Sequence, residues 1–417
     1  MSNRLNFSDL DSTERGNSRL IVIGQTFSKL GDILCNAKTV LTWLMGVVGA
    51  PPALTALLVP IRESGSMLPQ AFISGFVKRA QKRKKIFVLG AIGQAICLVV
   101  MGLVALFLKG ATAGWAIVIS LTLLSLARCL CSISSKDLLG KTIPKGIRGR
   151  ISGIAATISG LIGLGAALWT IFGVDQTASQ VTYAWIIFTG SLFYLMTAVS
   201  FGSVSEENSP KASQKLGGDL KKRLRLVWTD PVLRRFVIAR TLLLGSALAS
   251  PYLVILSQQK GFDLRSLASF VMAGGLASAL SSFLWGSLSD RSSRKAMVIG
   301  GVIAGIIGLI GVFITTQIPT LAESLWTWPA LFFLLNIGYA GVRIGRKTYI
   351  VDISGDEKRT DYVSASNSVI AVMVLILGAA GSALQLVGAT TALTFFSVIC
   401  LLGSIYVIRL QKIEGLE

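Results

Sequence analysis

Along the 417 residues, apolar positions gather in blocks of roughly twenty, separated by short polar stretches. A helix needs about 20 residues to cross some 30 Å of hydrocarbon, so each block reads as a spanning helix. The blocks predict spans at 20–47, 52–75, 86–108, 114–136, 151–173 and 183–204, then 236–257, 266–286, 296–317, 327–347, 362–387 and 390–408. The fold class is therefore all-α and polytopic, with twelve transmembrane helices. The longest polar stretch, 205–229, lies midway and opens a cytosolic linker over 205–235. It separates two six-helix bundles, 20–204 and 236–410, with cytosolic tails at 1–19 and 411–417. Within the linker, the run from Leu220 to Trp228 reads as a short amphipathic helix on the membrane surface. Asp230 and Pro231 then read as the N-cap and first-turn proline of the seventh span.

The two halves look related at a constant shift of 211 residues. Gly75 maps onto Gly286, Arg148 onto Arg359, and Lys29 onto Arg240. A parallel duplication of six helices is one of the recognised plans for secondary transporters.

Composition agrees with a membrane chain: 52% of residues are hydrophobic and 14% charged. A soluble protein could not cover so much apolar surface with so little charge. The net charge of +20 raises the question of nucleic acid, and its placement answers it. Of 40 Lys and Arg residues, 32 fall in the tails and in every second loop (78–85, 136–150, 211–235, 291–295 and 343–359). The opposite loops hold three: Lys109, Lys260 and Arg265. This asymmetry is the positive-inside rule, which puts both termini in the cytoplasm of an inner-membrane protein. The basic loops face membrane lipids, and no nucleic-acid partner is expected. The five cysteines all fall in predicted spans and the chain has no histidine, so neither a metal site nor a cofactor is expected. No nucleotide-binding loop or nucleophile elbow points to an enzyme.

Gly286-Ser-Leu-Ser-Asp290-Arg291-Ser-Ser-Arg294-Lys295 resembles the loop signature of the major facilitator superfamily, roughly G-x-L-a-D-r-x-g-r-[KR]. The stretch from Phe27 to Asp32 is similar to the F-S-x-L-G-D opening of many bacterial members, and Leu126-Ala-Arg128 to the arginine motif of the fourth helix. The resemblance implies a monomeric secondary transporter that alternates access by rocking two halves. Two departures stand out. The first loop copy has Arg79 where the family usually has an acid, and the fifth span lacks the Gly-Pro pair of family antiporters. The fourth span's end, from Ser134 to Lys141, resembles the corresponding helix of bacterial lysophospholipid transporters.

A charge at mid-bilayer costs roughly 2.5–3.5 kcal/mol even on a lenient scale, so each one needs a partner or water. Lys29, Asp32 and Lys38 lie in the first span, Arg62 and Glu63 in the second, and Arg128 in the fourth. Lys29 and Asp32 are three apart on one helical face, which permits a pair. Asp32 and Glu63 are the candidates for carrying a coupling proton. Arg62 and Arg128 are the candidates for binding a substrate anion, or for holding those carboxylates ionised. Arg240, Arg343, Arg346 and Lys347 read as structural or snorkelling charges.

The expected function is secondary transport of a small organic solute, anionic or zwitterionic. A lipid or lysolipid translocator and a non-transporting sensor on the same scaffold are the alternatives. In the family the loop motif packs near the start of helix eleven and its copy near helix five. Here the first copy (Gly75, Arg79) is wholly basic, and the stretch that would face it holds Asp352, Asp356, Glu357 and Asp361. The second copy (Gly286, Asp290, Arg291, Arg294, Lys295) would face the basic Arg148 and Arg150. The expectation is a cytoplasmic gate in which Arg79 meets the acidic stretch and Asp290 meets Arg148 or Arg150, or the amino end of helix five with its partial positive charge.

Overall fold

The computed structural model describes residues 10–67, 80–144, 147–173, 179–207, 220–261 and 264–411; at 173, 220–224, 282–283, 290 and 355–361 it describes the backbone course alone. Every regular element among them is a helix. In chain order these are α1 (Ser12–Leu34), α2 (Val40–Val47), α3 (Pro52–Ala56), α4 (Leu58–Met67), α5 (Arg83–Phe107), α6 (Gly110–Thr142), α7 (Arg148–Gly173) and α8 (Gln180–Gly202). There follow α9 (Leu220–Thr229), α10 (Pro231–Leu242), α11 (Gly245–Leu248), α12 (Ser250–Gln258), α13 (Leu264–Arg291), α14 (Ser293–Gln317), α15 (Pro319–Ala322), α16 (Thr327–Gln385) and α17 (Ala389–Ile408). Among the described residues, nine segments are long and apolar enough to cross a membrane.

The exposed faces identify the solvent. On α5, Leu89, Ile92, Ile96, Val99, Leu103 and Phe107 are exposed at steps of three and four residues, while Ala91, Leu98 and Met101 are buried. A helix whose outward stripe is apolar is built for lipid. Exposed aromatics stand near helix ends, with Trp115 on α6, Trp169 and Phe172 on α7, and Trp185 on α8. That is where amphipathic rings meet the headgroup region. The chain is an integral, multi-pass membrane protein.

Several boundaries differ from those predicted. Helix α1 begins at Ser12, inside the expected tail, because Asp11 caps it. The Asp11 carboxylate accepts the Glu14 N–H at 2.6 Å, and Glu14 accepts the Asp11 N–H at 3.3 Å. The first span breaks at 35–39, and the seventh breaks around 243–249. These breaks fall at the same register of the 211-residue shift. A left-handed glycine follows each broken helix, Gly49 at φ 69° and Gly261 at φ 80°, a conformation that a side chain would strain. The helices starting at Pro52, Arg83 and Gln180 have counterparts starting at Leu264, Ser293 and Ala389, within two residues of the same shift. The polar loop expected after 343 is instead helical, so α16 runs unbroken for 59 residues. The expected caps of α10 are present: Asp230 accepts from Val232 N–H at 2.9 Å and Leu233 N–H at 3.1 Å.

The described chain forms two compact units that cross the predicted bundle boundary. The first holds Met1–Asn36, Gly65–Gly165 and Ser179–Gly218; the second holds Ala37–Ser64, Ala166–Ala178 and Asp219–Glu417.

In the first unit α5 packs along α6 and α8, and α1 along α8. Glu206, expected in the linker, closes this unit. Its fully buried carboxylate accepts the backbone N–H groups of Arg83 and Lys84, both at 2.9 Å, and lies 3.4 Å from Lys141 Nζ. It caps α5 as an N-terminal carboxylate does. Lys84 Nζ in turn donates to the carbonyls of Gly202 and Val204 at the end of α8, at 3.1 and 2.8 Å. Arg83 pairs with Asp137 at 3.5 Å. The charges of the lysophospholipid-transporter-like segment, Asp137 and Lys141, are therefore spent on ties within the unit.

In the second unit α14 packs against α16 and α17 through small residues. A Cβ on Gly300 would lie 2.6 Å from the Gly338 carbonyl, and one on Gly338 would lie 2.6 Å from that of Gly300. The backbones touch, as small residues allow in membrane helices. The segment 37–64 belongs to this unit although it comes from the first half of the sequence. Gln258 Nε2 donates to the Trp43 carbonyl at 2.9 Å and Ser382 Oγ to that of Ala53 at 2.7 Å, while Pro60 fills the space beside Gly378.

Candidate functional site

Each unit carries its own polar cluster within apolar helices. In the first, Asp32 near the end of α1 forms an ion pair with Arg128 of α6. Arg128 Nη1 also donates to Ser28 Oγ at 3.2 Å. The second carboxylate oxygen, Oδ1, accepts the Tyr194 hydroxyl of α8 at 2.8 Å, and that hydroxyl lies 3.3 Å from Cys35 Sγ. The packing explains the local sequence. A Cβ on Gly31 would approach the Tyr194 ring at 3.1 Å, so a glycine there lets the ring lie against α1. Phe27 stacks on Phe193 at 5.8 Å between centroids. In the run from Phe27 to Asp32, the phenylalanine, serine, glycine and aspartate each touch this constellation. Arg128 and Asp32 keep 28% and 26% exposure, so the pair can still be reached by water or a small solute.

A charge-assisted pair of this kind is among the stronger hydrogen-bonded contacts. The Tyr194 hydroxyl adds a donor to the same carboxylate. Of the expected residues, the structure brings Asp32 and Arg128 together. Lys29, the partner that helical spacing permitted for Asp32, has no ion pair among the described residues.

In the second unit Lys38, within the break in the first span, sets its ammonium 3.7 Å over the ring centroid of Tyr339 on α16. The Arg343 guanidinium lies 5.8 Å from the same centroid. Such placements are cation–π contacts. Glu63, Arg343 and Arg346 all act electrostatically on Lys38, and Arg346 and Glu63 act on Arg240. Arg240 is buried on α10, where its Nη1 donates to Ser366 Oγ at 2.8 Å and Asn367 Oδ1 at 2.9 Å. Arg62 and Glu63 are half-buried on α4.

Sequence reasoning missed Tyr194, Ser28 and Tyr339, and it treated Arg240, Arg343 and Arg346 as separate structural charges. One signal was available for Tyr339, which is the 211-shift counterpart of Arg128. The tyrosines otherwise look like ordinary core aromatics.

The expected gate is described in part. Gly75 and Arg79 lie outside the described residues, as do the side chains of Asp290, Glu357 and Asp361. Arg148 donates to the carbonyls of Ile143 at 2.8 Å and Gly140 at 2.6 Å, capping α6, and Arg150 is exposed. Arg294 donates to the Ile408 carbonyl at 3.2 Å, Lys295 N–H to Ser292 Oγ at 3.2 Å, and Arg291 ends α13 exposed. Near Gly286, Trp285 Nε1 donates to the Ile337 carbonyl at 2.9 Å and Ser289 to Thr348 at 2.9 Å. This loop motif thus ties α13 to α16 and α14 to α17.

The repeated apolar helices, with the first and seventh spans broken beside interior charge, define a polytopic membrane protein. The sequence profile of the Major Facilitator Superfamily matches residues 236–414. That match lies in the second half of the chain, and nearly the whole chain shares its fold with solved transporters. No curated protein matches it in sequence. Among solved structures it is similar to a D-xylose-proton symporter (TM-score 0.71, 13% identity, 97% of this chain and 100% of that one). It is also similar to the nucleoside transporter NupG, solved as a point mutant (0.71, 10%, 95% and 100%). A third is the inward-open xylose transporter XylE from E. coli (0.68, 11%, 95% and 96%).

Proposed function

We propose that this protein is a secondary active transporter that moves a small anionic or zwitterionic organic solute across the inner membrane by alternating access. The observation that carries the reading is the charge of its interior. Lys38, Arg240, Arg343 and Arg346 surround Tyr339 with one carboxylate, Glu63, in one unit, and a partly exposed Asp32–Arg128 pair sits in the other. Neutral solutes do not require such a balance, and a charge this far from water is expensive unless used.

Proton coupling follows from the same residues, with Asp32 and Glu63 as the candidate carriers. Protonation of Asp32 removes the counter-ion of Arg128, so a solute anion becomes its best partner. The likeness to a proton symporter supports this coupling by analogy of fold. The loop charge asymmetry supports cytoplasmic termini.

Purified protein in proteoliposomes, given labelled organic anions, zwitterions and neutral sugars with and without an inward proton gradient, tests the reading. Gradient-stimulated uptake of an anion or zwitterion is the expected result. Movement of lysolipid alone would replace the reading with lipid translocation, and movement of nothing would leave a sensor.

A further inference from the structure

Four cations and one carboxylate gather round Tyr339 in the second unit. Glu63, Arg240, Arg343 and Arg346 act electrostatically on Tyr339, and the Lys38 ammonium lies 3.7 Å over its ring centroid. Tyr339, Arg343 and Arg346 stand at i, i+4 and i+7 on α16, which places them on one helical face. Lys38, Arg343 and Arg346 are half-buried. Arg240 has 7% exposure, and its Nε has no hydrogen-bond acceptor among the described residues, although its Nη1 is held by Ser366 and Asn367.

These features ask for more than a single negative charge. Among the described residues round Tyr339 the cations outnumber the one carboxylate, and Arg346 opposes both Lys38 and Arg240. A neutral solute relieves none of that repulsion, and a zwitterion brings an ammonium of its own. Guanidinium groups present donors in a planar fork that matches carboxylate and phosphate oxygens two at a time. A buried guanidinium N–H without an acceptor is a standing cost that an incoming oxygen removes.

We propose that this cluster binds a compact dianionic group, a phosphate monoester or a dicarboxylate, on the transported solute. The inference rests on the transporter reading for the word "transported", but the binding site stands without it. Lys38 is positioned from Tyr339, while Arg240, Arg343 and Arg346 supply the forks.

The test pairs solutes of one skeleton and different charge: glycerol 3-phosphate with glycerol, and succinate with butyrate. Full-length protein in detergent is melted with each solute, and uptake of the same four is measured in proteoliposomes. The dianion of at least one pair should stabilise the protein at concentrations at least tenfold lower than its partner, and which pair responds separates phosphate from dicarboxylate. Arg346→Gln should shrink that ratio to about threefold or less while melting normally without solute. Arg346→Lys, which keeps the charge and loses the fork, should fall between. Equal stabilisation by the neutral or monoanionic partner overturns the dianion site, as does an absence of any shift with both dianions or an undiminished ratio in Arg346→Gln. Stabilisation by a dianion without uptake keeps the site and removes the transporter reading instead.

Discussion

The Tyr194 hydroxyl donates to Asp32 Oδ1 at 2.8 Å while Arg128 holds Oδ2 of the same carboxylate, so three helices, α1, α6 and α8, meet at one aspartate. Tyr194→Phe keeps the ring that packs against Gly31 and removes only the donor. It should lower the melting temperature slightly, consistent with a loss of about 1–1.5 kcal/mol for one hydrogen bond to a charged group. Gradient-driven uptake should fall, because the carboxylate paired with Arg128 loses one of its two side-chain donors. Unchanged uptake, with normal expression, would assign Tyr194 to packing alone.

Glu206 offers a separate test of the first unit. Its carboxylate satisfies two backbone amides that begin α5 and sits beside Lys141. Glu206→Ala leaves those donors buried and should cost about 2–3 kcal/mol, read as a lower melting temperature. Glu206→Gln keeps one acceptor and should lose less. Equal, negligible losses in both would show that the 205–207 segment is not anchored there.

Close backbone contact of α14 and α16 makes Gly300 and Gly338 intolerant of side chains. Gly300→Val and Gly338→Val should each destabilise by about 1–3 kcal/mol, the usual cost of overpacking, and reduce the folded yield. Gly286, which has nothing within 4 Å of its Cβ position, should accept alanine. Wild-type melting of Gly300→Val would mean that the two helices stand further apart.

Much of this arrangement was legible beforehand, and what was hidden has physical causes. The hydrophobic blocks gave the helices, and the 211-residue shift predicted a relation that the breaks and the turns at Gly49 and Gly261 now express in backbone geometry. Hydropathy could not reveal the break at 243–249, where Leu243, Leu244, Ala247, Leu248 and Ala249 are as apolar as a helix interior, whereas Asn36, Lys38 and Thr39 at the first break read as polar positions within one span. The polar stretch after Arg343 read as a loop by charge, yet it holds no proline between Arg343 and Tyr362 to end a helix. Asp32 and Arg128 announced themselves as costly charges. Tyr194 and Tyr339 did not, since a tyrosine costs little in a core until its hydroxyl is seen to meet a charge.

The basic first loop carries a prediction from the sequence alone. Arg79→Glu should impair transport, and adding Asp361→Arg or Glu357→Arg should restore part of it. Full activity in Arg79→Glu, or no rescue by either partner with normal expression, would make these charges topological rather than a gate.

The central claim is that interior charge couples solute to protons, and Asp32→Asn tests it most directly. In proteoliposomes loaded with a transported anion or zwitterion, the account predicts that Asp32→Asn retains solute counterflow but loses accumulation driven by an inward proton gradient, with Glu63→Gln assayed alongside as the second candidate. Wild-type accumulation in both variants would contradict it.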